Sequence, residues 1–315
     1  MNILTLLIVI PVLTITGILF TKDLKGARLV SAIGMTAQLV VAAILVFMYL
    51  GARKAGVTDE MLFTADYMWF KTLNIRYAIG VDGIAVAMIA LTAVVVFAGI
   101  FASWEMEFLS REFFISLILL ATGVFGFFIS LDLFTMFLFY EVAVIPMYLL
   151  IGIWGSGPKE SSAMKLTLML MGGSALLMVG IFGIYFNSAP NGGPLTFHII
   201  EISKIQIPVE AQRLLHAGVL MKLGGYGAFR VAMFLMPEAA HEMAWIFIIL
   251  TSISVVYGAF GAIWQKDLKY INAYSSVSHC GLVLFALLMM NETAMDGGII
   301  QMISHGLMTA LFFAL

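Results

Sequence analysis

Residues 132–155 read DLFTMFLFYEVAVIPMYLLIGIWG, with one acid, Glu141, near the middle and Pro146 five residues on. The stretch is long enough to cross a hydrocarbon core about 30 Å thick. A charged side chain at the centre of a spanning helix costs at least ~2.5–3.5 kcal/mol on insertion scales, so a carboxylate there is either paired or used. Pro146 has no amide hydrogen, which leaves the carbonyl of Val142 without its helical donor and kinks the helix one turn from the acid. Freed carbonyl and acid together can seat water. The plainer alternative is a glutamate paired to a neighbouring helix, beside a kink of a kind common in membrane helices.

The rest of the chain has the same character. Of its 315 residues 62% are hydrophobic and 11% charged, and the mean hydropathy is +1.07; a soluble domain carries roughly 25% charged residues. A net charge of −2 gives no basic footprint for nucleic acid. One cysteine, Cys280, excludes a disulfide framework and any cysteine-built metal or iron–sulfur site.

Apolar runs recur over 3–20, 28–50, 79–103, 113–131, 133–153, 163–186, 214–236, 243–264, 270–290 and 298–315. They predict an all-α, polytopic transmembrane helix bundle of about ten spans, forming a single membrane domain over 1–315. The first run has no basic residue before it, no clear small-residue cleavage site and Pro11 at its centre, which favours a retained span over a signal peptide. The longest polar stretches are 51–78, with Tyr67 and Trp69 as interfacial anchors, and 187–213, which opens with the turn signal NSAPNGGP. The closing LMTALFFAL has no polar flank, which suggests a partial chain.

Sides follow from Lys and Arg in short loops. Lys22, Lys25 and Arg28 place the first loop in the cytoplasm, and alternation puts the Arg111 and Lys159 loops there too. Alternation then fails. It places Lys266 and Lys269 of WQKDLKY outside, and MPEAAHE, with no basic residue, inside. One further crossing between 187 and 216 repairs both, yet EISKIQIPVEAQR is too short and polar to supply it. Either the charge rule fails here or a span is missing.

Four more titratable groups fall in or near the spans: Lys165, Lys222, His279 and His305. Lys222 lies between Gly218 and Gly225 on a face that a second backbone can approach. Burial eases proton loss from a lysine and a nearby carboxylate opposes it, a balance suited to proton exchange; a static ion pair is the plainer reading. His279 follows Ser275 and Ser278, and His305 follows Ser304. Imidazole titrates nearest neutrality and relays protons in either direction, although a lone membrane histidine often only donates between helices.

Other chemistries close quickly. GGYG and the NGG loop make no phosphate cradle after a strand. His198, His216 and His241 lack metal-like spacing with carboxylates, and His279 and His305 lack facing partners for haem. The 22 methionines and 25 phenylalanines read as packing and lipid-facing bulk, while Asp82, Glu105 and Glu107 lie near helix ends in solvated or structural roles.

GVDGIAV, FYEVAVIPMYLLIGIWG, AGVLMKLGGYG, AYSSVSHCG and IQMISHGL, in that order, resemble the antiporter-like subunit M of bacterial complex I, the homologue of subunit 4 of the mitochondrial and chloroplast enzymes. The resemblance implies about fourteen helices with two inverted five-helix repeats, two helices being broken at mid-membrane. It implies a proton channel driven by NADH:quinone oxidoreduction elsewhere in the complex, with no cofactor and no metal in this subunit. Glu141 matches the family's essential glutamate, Lys222 the lysine facing a central hydrophilic axis, and His279 and His305 the histidines along it; Lys165 matches more weakly, and one of Glu105 and Glu107 matches a further acidic position. The implied partners are other membrane-arm subunits, including neighbouring antiporter-like ones, and the lipid of a bacterial inner membrane. Two departures stand out: Arg213-Leu214-Leu215-His216 runs straight into AGVLMKLGG where the family has a broken helix, and the family's C-terminal helices lie beyond Leu315. A subunit of a Mrp-type cation/proton antiporter or membrane-bound hydrogenase shares the fold and the Glu–Lys pair, and a truncated, non-pumping remnant is the third reading.

Overall fold

A computed structural model describes residues 2–21, 23–189, 192–213, 215 and 224–314. Two compact units divide the chain: residues 1–172 with 196–199, and residues 173–195 with 200–315.

The first unit begins with α1 (Ile3–Phe20) and α2 (Leu24–Lys54). Their facing sides carry Leu4, Leu7, Met35 and Leu45, all buried, and Gln38 donates from Nε2 to the Leu7 carbonyl at 3.0 Å. Three apolar helices follow the polar stretch: α3 (Gly83–Ala102), α4 (Ser110–Ile129) and α5 (Leu133–Trp154). Asp82 caps α3 by accepting from the Ala85 amide, so the run expected from residue 79 becomes helical only at Gly83. α5 continues through Pro146 as one helix. The helix α6 (Lys159–Phe186) carries the chain from the first unit into the second.

The polar stretch 51–78 adds an extended element to the helical bundle. It contains a two-stranded antiparallel hairpin of β1 (Leu62–Phe70) and β2 (Ile75–Val81). Asn74, at φ 52°, turns the chain in the left-handed region that asparagine tolerates. Tyr67 and Tyr77 are cross-strand partners stacked at 6.5 Å, and Arg76 pairs with Asp66 at 3.0 Å.

The second unit contains a four-residue helix, α7 (Ile199–Ile202), at its margin, and then α8 (Gly224–Gly227), which passes into a π-helical turn over Ala228–Met233. Three long helices follow: α9 (Pro237–Trp264), α10 (Leu268–Leu288) and α11 (Glu292–Ala314). Their core joins Met233, Ala240, Val283, Leu287 and Leu288. Eight helices among the described residues are long and apolar enough to cross a membrane. Of the two remaining expected spans, 298–315 falls in α11, while in 214–236 residues 224–233 form α8 and the π-helical turn and residues 214 and 216–223 lie outside the described residues.

Each unit contains the same helical pair. In the first, a Cβ on Gly123 would lie 2.7 Å from the backbone of Phe139 and Ala143, and one on Gly126 would enter the Phe139 ring, so α4 and α5 cross where only glycine fits. In the second, Gly258 meets the backbone of Tyr274 and Ser278, and Gly261 meets the Tyr274 ring. The spacing is identical: Gly123, Phe125, Gly126, Asp132 and Leu133 answer to Gly258, Phe260, Gly261, Asp267 and Leu268. Asp132 caps α5 as Asp267 caps α10. This is an internal repeat of sequence and packing together.

Candidate functional site

Glu141 sits on α5 two residues from each of the α4 contacts Phe139 and Ala143. At about 100° per residue that places it nearly opposite the crossing. It is half-buried and shares its face with Leu138, Ile145 and Tyr148, which are exposed. Tight packing on one side of α5 thus fixes the acid on the other. Lys165, on α6, is exposed beside Met164, Leu168 and Met169. Lys222 and His216 lie outside the described residues; the nearby Gly225 approaches Met302 and Val283 so closely that a Cβ would be 2.5 Å from the Met302 sulfur.

The two histidines face each other, which corrects the expectation that neither has a facing histidine; the partner lies on the next helix rather than at a helical repeat. Their rings lie 4.9 Å apart, centroid to centroid, at an interplanar angle of 36°. α10 and α11 run antiparallel through a short turn, and Gly298 packs against Leu287 and Val283 at this contact. Gln301 reaches His279 with Nε2···Nδ1 at 3.0 Å, and Thr309 Oγ1 lies 3.4 Å from Nε2 of His305. Gln301, His305 and Thr309 recur every four residues and so form one polar stripe on α11. On its other side α10 is fixed by Ser278, whose hydroxyl donates to the Val255 carbonyl of α9 at 2.9 Å. The two imidazoles, with Gln301 and Thr309 beside them, thus form a continuous polar contact between α10 and α11.

A second cluster, in the first unit, was not singled out from the sequence. Asp132 is fully buried, its Oδ1 accepting from the amides of Phe134 and Thr135 at 3.0 Å each, and its Oδ2 from the Arg76 amide at 3.3 Å. The Thr135 hydroxyl donates to the Arg76 carbonyl at 3.0 Å. Backbone bridges pair Ile79 with Ser130 and Asp132 with His198, so β2, the α4–α5 loop and residues 197–199 are knotted together. Burial pushes the Asp132 carboxyl up to about 6, against the three amides that favour its charge. Arg230, buried in the π-helical turn with its guanidinium over the rings of Tyr226 and Phe234, was also missed; a cation one turn past GGYG is the signal that would have found it.

Comparison with known proteins agrees with this architecture. The chain is 30% identical over 347 aligned residues to the NAD(P)H-quinone oxidoreductase chain 4 3 of Picosynechococcus sp., an alignment covering 99% of this chain and 62% of that one. It is 28% identical to the F(420)H(2) dehydrogenase subunit M of Methanosarcina mazei, over 98% of this chain and 69% of the relative. The chain thus spans less than two thirds of the length of the Picosynechococcus relative. In fold it matches a chain of the respiratory complex I from Thermus thermophilus with a TM-score of 0.82 at 20% identity, covering 99% of this chain and 70% of that one. Residues 130–211 and 194–315, more than half of the sequence, match the family described as NADH:quinone oxidoreductase/Mrp antiporter, TM. This multi-pass membrane chain belongs to that family.

Proposed function

We propose that the chain is a proton-translocating membrane-arm subunit of an NADH:quinone oxidoreductase of the complex I type, in the plasma membrane of a bacterium. The observation that carries this reading is the His279–His305 contact, with Gln301 and Thr309 extending it along α11. Electrons pass elsewhere in the complex, among its other membrane-arm and redox subunits, and this subunit holds no cofactor. Glu141 and Lys222 form the coupled pair. Charge arriving from a neighbouring antiporter-like subunit separates them, the acid gains proton affinity as the lysine loses it, and the histidines pass the proton on through water. Lys165 belongs to the same translocation path by its weaker motif match.

One observation favours a second reading, a remnant without a competent path. The Picosynechococcus alignment runs over 347 positions although the chain has 315 residues, so the relative holds about a helix's worth of residues without counterpart here. The repeat points the same way. The Asp132 loop has no basic residue, while its counterpart at Asp267 carries Lys266 and Lys269, as the loops of an inverted repeat do. Inversion needs an odd number of crossings between the two loops, one more than the sequence supplies. A chymotryptic peptide running unbroken through Arg213-Leu214 in protein from native membranes tests whether the crossing is absent.

The functional test is proton uptake by inverted vesicles oxidising NADH. Deleting the chain lowers the protons moved per NADH under the pumping reading. An unchanged ratio leaves the remnant reading standing, and intact NADH oxidation with lost cation exchange points to the Mrp-type alternative.

A further inference from the structure

Asn272 is a buried polar departure that the internal repeat exposes inside the second helical pair and that the site above does not use. Its counterpart in the first pair is Phe137, a buried apolar residue of α5. Asn272 is 5% exposed, and its Nδ2 is enclosed with no hydrogen-bond acceptor among the described residues. An amide buried in this way in a membrane helix costs about 1–3 kcal/mol if it stays unsatisfied. Buried polar groups of this kind are commonly satisfied by ordered water.

Its position says what the water would serve. Asn272 lies two helical turns before His279, so the two share a face of α10, with Ser275 and Ser276 flanking the turn between them. That face points away from α9, which packs on Tyr274, Ser278 and Gly281. α11 packs on it, as the contacts of Gly298 with Val283 and of Gln301 with His279 show. Because the helices are antiparallel, Thr309, two turns beyond Gln301, falls level with Asn272. Asn272 and Thr309 therefore continue the polar path from the histidine pair toward the end of α10 that carries Lys266 and Lys269, the cytoplasmic side by its basic charge.

We infer that Asn272, with Thr309, holds the water through which the His279–His305 pair exchanges protons with the Lys266/Lys269 side. The inference rests on the proton-pumping reading and deepens it: Asn272 is a positioning residue for that path. The test is NADH-driven proton uptake by the assembled complex in inverted vesicles, with assembly followed on native gels. Asn272→Leu lowers the uptake rate on the order of tenfold, about what one lost water-bridged hydrogen bond is worth. It also raises the solvent deuterium isotope effect, which a merely structural defect would not do. Thr309→Val, nearly isosteric, gives the same signature and replaces the leucine variant should that fail to assemble. Wild-type uptake and isotope effect in an assembled Asn272→Leu or Thr309→Val complex overturn the inference. His279→Gln separates the two levels: if it loses pumping while the other variants do not, only the Asn272 path fails; if it too pumps normally, the functional reading fails with it.

Discussion

Asp132 offers the sharpest test of the local physics. Its carboxyl titrates near 3.8 when exposed and at about 6 in the folded chain, burial outweighing three backbone hydrogen bonds. The difference corresponds to about 3 kcal/mol by which the native environment favours the neutral acid. The sign follows: the native state binds the proton more tightly than the unfolded one, so protonation stabilises the knot of β2, the α4–α5 loop and residues 197–199. That gain is complete below the unfolded pKa and is lost as pH rises through about 6. Between pH 7.5 and pH 5 it amounts to about 1.4 kcal/mol, a tenfold change in the opening equilibrium. Hydrogen exchange of the amides of Arg76, Phe134 and Thr135, corrected for the intrinsic pH dependence of exchange, reads that equilibrium directly. Protection rises about tenfold from pH 7.5 to pH 5 in the native chain and stays flat in Asp132→Asn, whatever the variant's absolute stability. Equal pH dependence in both chains, or protection that falls on acidification, refutes the assignment.

Two further outcomes follow from packing and from the relay. Gly123→Ala forces a methyl to within 2.7 Å of the α5 backbone and destabilises the first unit by about 1–3 kcal/mol. Gly172→Ala on α6 meets nothing within 4 Å and is neutral or stabilising by up to about 1 kcal/mol, so thermal unfolding in detergent separates the two. His305→Gln keeps a hydrogen-bonding side chain beside His279 but cannot carry a proton. It is expected to cut proton uptake while NADH oxidation in uncoupled vesicles is retained, and full coupling in that variant would remove His305 from the path.

Much of this was legible in the sequence where one long apolar period decides the matter. The spans around Glu141 and His279 follow from run length alone, and their helices lie within a few residues of the expected limits. The hairpin was not legible. LFTADYMWF and IRYAIGV are each too short to span and are separated by Lys71 and Asn74, so averaging over the stretch returns only a polar linker. Asn74 in the left-handed region makes the turn, and single-residue conformations leave little trace in composition. For the site, the four-residue spacing of Gln301, His305 and Thr309 was readable, but which helix that stripe faces is a tertiary fact fixed by Gly298 against Val283 and Leu287. Asp132 reads as an N-cap before an apolar run; its burial comes from residues 76–79 and 197–199, remote in sequence from it and invisible to any local pattern. The repeat was present all along in GVFGFFISLDL and GAFGAIWQKDL, and its meaning emerged once the glycines proved to occupy equivalent crossings.

The most direct test of the central claim is the number of protons taken up per NADH oxidised by vesicles carrying Glu141→Gln in the assembled complex. The substitution keeps size and polarity at the half-buried face of α5 and removes only the ability to carry the proton. The account predicts normal assembly with most of the coupled uptake lost. An unchanged proton-to-NADH ratio would contradict it.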